Sequence, residues 1–184
     1  MERLITITYL EMTSRDQVVP YSGARRLDVR RAEVACPELN RFFYGAVGSA
    51  WWWHERTTWD RDRWLEWADR RELETWIGYI SGTPAGYFEL EAQPGGQVQL
   101  AYFGLLPSFI GRGLGTELLA AAVARAWELA IARVWVHTCT LDHPRALANY
   151  QARGFRVYDS EEKLERLPDV KPALWPRPER TVDT

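Results

Sequence analysis

The chain reads as an α/β domain on a mixed, mostly antiparallel sheet of about six to seven strands with helices on both faces, and three observations carry that expectation. Strand-like runs at 73–80, 85–92 and 97–105 follow one another across Ser81-Gly82-Thr83-Pro84 and Gln93-Pro94-Gly95-Gly96, the pattern of an antiparallel meander. The third run passes through a glycine-rich loop into Leu118, Leu119, Val123, Trp127 and Ala130, apolar positions at helical spacing. A short apolar run at 133–139 and a second helical segment then alternate strand with helix, which sets helices on both sides of the sheet.

Taken in order, Leu4–Leu10 alternates Ile5, Ile7 and Tyr9 against Thr6 and Thr8, the period of a strand. Residues 13–23 are polar and read as turn, and Leu27–Val34 alternates weakly as a further strand. Cys36-Pro37-Glu38-Leu39-Asn40 breaks it ahead of a short helix over Arg41–Val47. A second helix spans Asp60–Arg70, with Trp64, Leu65 and Trp67 along one side and Thr58 or Asp60 as its cap. After the meander, the glycine loop and the long helix, Asp142 is expected to cap the last helix, with Pro144 in its first turn and Gly154 ending it. Phe155–Tyr158 then leads into a final strand. Pro168, Pro172, Pro176 and Pro178 keep the tail out of any sheet core, so it is expected to wrap the surface or fray. At 184 residues the chain is long enough for one well-buried core. It is treated as a single domain over 1–184, with 1–32 as an extra N-terminal strand region and 168–184 as a Pro-rich tail.

Composition narrows the function classes. A net charge of −2 with 26% charged and 46% hydrophobic residues offers no basic stripe for nucleic acid and no membrane-binding face. Neither a leader-like apolar segment nor a run of about 18 apolar residues occurs, so a cytoplasmic protein without membrane contact is expected. Cys36 and Cys139 are read as reduced thiols, and no spacing joins them to the three histidines as metal ligands. Five of the ten tryptophans, Trp51, Trp52, Trp53, Trp59 and Trp64, fall within one short stretch.

The glycine loop carries the chemistry. A helix begins with backbone N–H groups that have no intrahelical partner and with the positive end of its dipole. Gly111, Gly113 and Gly115 let a phosphate or pyrophosphate reach those groups, and Arg112 adds a charge. A P-loop would need a lysine where Gly115 runs directly into Thr116, and a Rossmann loop would need Gly-x-Gly-x-x-Gly with an acidic residue about 20 positions on, where Ala132 and Arg133 stand.

The segment Ile110-Gly111-Arg112-Gly113-Leu114-Gly115 resembles the acyl-CoA loop of the GCN5-related N-acetyltransferase (GNAT) family, Gln/Arg-x-x-Gly-x-Gly/Ala, with Ile110 departing from its first position. His143 to Phe155 is similar to the family's late helix ending in Tyr-x-x-x-Gly-Phe, here Tyr150 to Phe155. The resemblance covers Glu33 to Glu161 and makes Leu27–Val34 the family's first strand, pairing back into the sheet. It implies acetyl-CoA as co-substrate, no metal, and transfer of the acetyl group to a primary amine of a small molecule or peptide. It also implies that the strands flanking the long helix splay to admit the pantetheine arm. Cofactor contacts then fall to Phe103, Gly104, Leu105, Gly111, Arg112, Gly113, Leu114, Gly115, Thr116 and His143.

An alkyl amine with a pKa near ~10.4 must lose a proton before it attacks, and the leaving thiolate gains one. By resemblance Tyr150 is the acid. For the base, Gln99 stands where relatives carry Glu; Tyr87, Glu89 and Glu91 share one strand face, making Glu89 the first candidate and Glu91 the second. Trp53, His54 and Glu91 are expected in the acceptor site, and a homodimer is possible by analogy. Two other readings stay open: an acyl-CoA-binding module without catalysis, suggested by Ile110 and Gln99, and a nucleotide-binding α/β protein.

Overall fold

The computed structural model describes residues 1–175; Pro176 and Pro178 of the tail lie outside the described residues. Seven strands, β1 (Glu2–Met12), β2 (Asp28–Ala32), β3 (Leu73–Ile80), β4 (Thr83–Gln93), β5 (Gln97–Leu105), β6 (Arg133–Cys139) and β7 (Arg156–Arg166), accompany four helices, α1 (Pro37–Gly48), α2 (Arg61–Ala68), α3 (Leu114–Leu129) and α4 (Ala146–Ala152). The strands form one sheet in the order β2-β3-β4-β5-β6-β1-β7. Every neighbouring pair is antiparallel except β5 and β6, which run parallel.

Alternation along β4 separates the two layers. Phe88 and Leu90 are fully buried beneath α3, in one cluster with Leu118, Leu119 and Val123. Tyr87 points to the opposite face, where its ring stacks on Phe43 of α1 at 4.9 Å between centroids and packs with Val47 and Ile77. Side chains of this size stabilise by roughly 1.5–3 kcal/mol each when fully buried, so both helical layers are held by apolar area.

Two expectations about the elements are corrected and a third is met at the sheet edge. Pro37 starts α1 rather than holding the chain out of it, because the first helical turn has no use for the N–H that proline lacks. The N-terminal strand is no appendage: β1 lies between β6 and β7, and its Leu10 and Met12 are completely buried. The weakly alternating segment joins far from β1, as edge strand β2 against β3. Arg31 of β2 reaches Glu74 of β3 at 2.9 Å, and Arg125 of α3 reaches the same carboxylate at 2.7 Å, tying that edge down.

The seam between β5 and β6 positions the site. Only Gln97–Gln99 pair with Arg133–Trp135. Past that point β5 shifts register against β4 between Glu89 and Leu90, a local irregularity of the kind that bends a strand. β5 continues to Leu105 and β6 to Cys139 without further pairing between them. The main-chain groups of Ala101–Leu105 that point away from β4 are therefore left for solvent or a ligand.

Candidate active site

A cavity of about 960 Å³ opens in this gap, within the range of small-molecule sites. The glycine loop, β5 and α4 wall one half; the segment from Trp51 to Arg56, with β6 and β7, walls the other.

On the loop side, Phe103, Gly104 and Leu105 of β5 line the cavity, as do Gly111, Gly113, Gly115 and Thr116. Gly111 and Gly113 have φ of +83° and +76°, and Gly113 is the residue immediately before α3. A β-carbon at Gly111 would meet nothing within 4 Å, so the backbone conformation, not space, asks for glycine there. Thr116 Oγ1 donates to Asn149 Oδ1 at 3.3 Å and joins α3 to α4. Two expected cofactor contacts lie elsewhere. The Arg112 guanidinium lies over the Phe109 ring at 5.5 Å and is absent from the cavity wall, and the Leu114 side chain is buried in the core, leaving only its backbone at the helix start.

Sequence reasoning missed Arg26. Its Nη2 donates to the Arg112 carbonyl at 2.8 Å, while the backbone N–H groups of Arg26 and Leu27 donate to the buried Glu117 of α3 at 2.6 and 2.8 Å. The segment before β2 thus braces the loop, through a pairing 90 residues apart that leaves no local signal.

Tyr150 sits in the wall, its ring edge-on to Phe103 and Phe155. Burial raises its phenol pKa above the ordinary value, which keeps it protonated at neutral pH. His143 also lines the cavity, edge-on to Trp51 at 4.9 Å, and its Nδ1 accepts from the Arg145 N–H at 3.0 Å. Asp142 does not cap α4, which begins at Ala146 with no side-chain cap and leaves Pro144 outside. Its carboxylate is engaged elsewhere: it accepts from Thr138 Oγ1 at 2.8 Å, the Cys139 N–H at 3.0 Å and Trp53 Nε1 at 3.3 Å. Asp142 therefore pins the tryptophan segment to the end of β6.

Trp53 lies in the wall against Tyr44 and Tyr102. Trp52 takes a left-handed φ of 64°, unusual for a bulky side chain; its carbonyl is 3.0 Å from His54 Nδ1, and His54 Nε2 lies 3.6 Å from Glu165. Glu91 is in the wall and ion-paired with Arg70 at 2.6 Å. Glu89 is not in the wall. It is 1% exposed, and its two oxygens accept from Asn40 Nδ2 at 2.8 Å and Trp67 Nε1 at 2.7 Å; burial raises its pKa above the usual carboxylate value. His137 of β6 lines the opening, and the desolvation imposed by the surrounding protein lowers its pKa, favouring the neutral imidazole. Among the described residues no group of three or more His, Cys, Asp or Glu is placed to hold a metal ion.

Comparison with known proteins bears on the fold and the family. Among solved structures, a GCN5-related N-acetyltransferase from Kribbella flavida aligns with a TM-score of 0.61 at 14% identity, over 86% of this chain and 57% of its own. One from Sphaerobacter thermophilus aligns with a TM-score of 0.64 at 17% identity, over 94% and 56%. A Bacillus subtilis acetyltransferase in complex with CoA aligns with a TM-score of 0.56 at 20% identity, over 72% and 78%. These likenesses show the fold, and the chain spans little more than half the length of the first two. No curated protein matches the sequence. The model of the acetyltransferase (GNAT) family matches residues 34–155, about two thirds of the sequence, and the chain belongs to that family.

Proposed function

We propose that the chain transfers the acetyl group of acetyl-CoA to a primary amine of a small molecule or peptide, by direct attack of the amine on the thioester carbonyl. The observation that carries this reading is the short β5–β6 seam: pairing stops at Gln99 and Trp135, and the unpaired main chain of β5 runs directly into a loop of positive-φ glycines at the start of α3. A pantetheine arm needs peptide-like partners along one edge and a pyrophosphate needs unobstructed N–H groups at a helix start. Both occur on one wall of one cavity.

The amine enters from the tryptophan side. Of the groups there, His137 fits proton acceptance best, directly or through water, because it lines the opening and its lowered pKa favours the neutral imidazole, which has a free lone pair. Glu91 is already engaged, in its ion pair with Arg70. Glu89, enclosed with both oxygens engaged, acts by holding its neighbours. Attack gives a tetrahedral oxyanion beside the free N–H groups of β5. On collapse the carbon–sulfur bond breaks, and Tyr150 gives its proton to the departing thiolate; the apolar surroundings that raise the phenol pKa raise the thiolate's proton affinity too.

The test is thiol release from acetyl-CoA against a panel of primary amines, with the acetylated product identified by mass. Release matched one-for-one by N-acetylated amine is the expected result. Acetyl-CoA binding with no thiol release from any amine would overturn the reading.

A further inference from the structure

Resting on the acyl-transfer reading above, we propose that the acceptor amine carries a carboxylate, as an amino acid or a peptide C-terminus does, and that Arg56 is the residue that selects it. The inference starts from two arginines that lie over one ring. Trp67 has the Arg56 guanidinium 3.5 Å and the Arg70 guanidinium 4.1 Å from its ring centroid. Arg70 has a carboxylate partner, Glu91 at 2.6 Å. Arg56 has no ion pair among the described residues.

Arg56 is nonetheless held firmly. Its guanidinium also lies over Trp59 at 4.4 Å and Tyr102 at 4.7 Å, so three aromatic faces surround it, and its backbone N–H donates to Tyr44 Oη at 3.2 Å. Nη1 is sealed from solvent with no hydrogen-bond partner, and neither Nε nor Nη2 makes a hydrogen bond among the described residues. The residue lines the cavity.

A guanidinium N–H taken out of water without an acceptor is costly, and cation–π contacts recover about 0.5–2 kcal/mol each. They do not supply the lone pairs that its N–H groups lack. Glu89 acts on Arg56 only through space: its oxygens accept from Asn40 and Trp67, no hydrogen bond or ion pair joins it to the guanidinium, and through Trp67 it fixes the ring under Arg56. The chain has therefore placed a caged guanidinium in the cavity wall and given its N–H groups no hydrogen-bond acceptor among the described residues. Nε and Nη2 are unbonded and not sealed, and that edge can give a carboxylate two parallel N–H bonds. Tyr102, one face of the cage, belongs to β5, so the guanidinium lies beside the strand assigned to the thioester.

Matched amine pairs test this. L-phenylalanine against 2-phenylethylamine, and L-tryptophan against tryptamine, differ only in the carboxylate; kcat/KM is read by thiol release. The parent should favour the carboxylated member of each pair by about tenfold or more, the scale of a hydrogen bond to a charged group. Arg56→Gln should erase that preference through KM, leaving kcat/KM for the decarboxylated amines within about threefold, and Arg56→Lys, which keeps the charge and loses the two-donor edge, should fall between. No preference in the parent, or an equal loss for both members in Arg56→Gln, overturns the proposal. Binding is read independently by calorimetry of the CoA complex with N-acetyl-L-phenylalanine and N-acetyl-2-phenylethylamine, and equal affinity or no binding of either also contradicts it. Turnover of amines without discrimination sinks this inference alone, whereas failure to bind acetyl-CoA sinks the acyl-transfer reading.

Discussion

The two halves of the cavity are built by different means. The loop half is made of backbone: positive-φ glycines, an unpaired strand edge and the first turn of α3. The tryptophan half, proposed to take the acceptor, is made of side chains, a shell of Trp51, Trp53, Trp67 and Tyr102 with Arg56, Glu91 and Asp142 set among them. A backbone site recognises what is common to every acyl-CoA, because N–H groups and a helix dipole do not depend on side-chain identity. A side-chain site can be remade without touching the fold, and on the proposed reading specificity is set there. The two halves should thus fail independently when mutated.

The largest expected effect is on the loop. Gly113→Glu puts an L side chain at φ +76° and a carboxylate where the pyrophosphate is proposed to lie; a penalty of about 3 kcal/mol or more lowers acetyl-CoA affinity by roughly 100-fold or beyond, read by calorimetry. Next is Tyr150→Phe, which should reduce kcat by about 100-fold, the lower range for a general acid, with CoA affinity unchanged; an equal change in both would merge the two halves. Trp67→Phe removes the indole N–H that Glu89 accepts and loosens the ring under Arg56. It should cost about 1–3 kcal/mol of stability by denaturant melt and raise the acceptor KM while sparing the Kd for acetyl-CoA.

The smallest effect is pH-dependent. Burial raises the folded-state pKa of Glu89 above the ordinary value of 4.5, so this group's contribution to stability is fullest below 4.5 and declines as pH rises through the folded pKa. The stability of the parent minus that of Glu89→Gln should accordingly be larger at pH 4 than at pH 8. A difference that does not change with pH would mean that Glu89 is not desolvated in the fold.

The same contrast explains what could be read from the sequence. β3, β5 and β6 match their expected bounds, and the glycine loop and Tyr150 line the cavity, because each is specified by neighbours within a few residues: alternation, a turn dipeptide, a helix start. The Arg56 cage draws on positions 56, 59, 67 and 102, and its anchor on 40 and 89; no periodicity links them, and only the α1–α2 layer over β4 and β5 brings them together. Glu89 and Glu91 share a strand face as expected, yet one is enclosed under Trp67 and the other reaches the cavity, a distinction that depends on the helix above them. Asp142 stands just before Pro144 and reads as a cap, but its nearest donors are Thr138, Cys139 and Trp53, one of them 89 positions away.

The most direct measurement of the central claim is calorimetric titration of the purified protein with acetyl-CoA, alongside CoA, ATP and NAD, in the parent and in Gly113→Glu. Selective binding of acetyl-CoA and CoA by the parent, lost in Gly113→Glu, is the predicted result. Absence of acetyl-CoA binding, or binding that survives the substitution, would contradict the assignment of the β5 edge and the glycine loop as the acyl-CoA site.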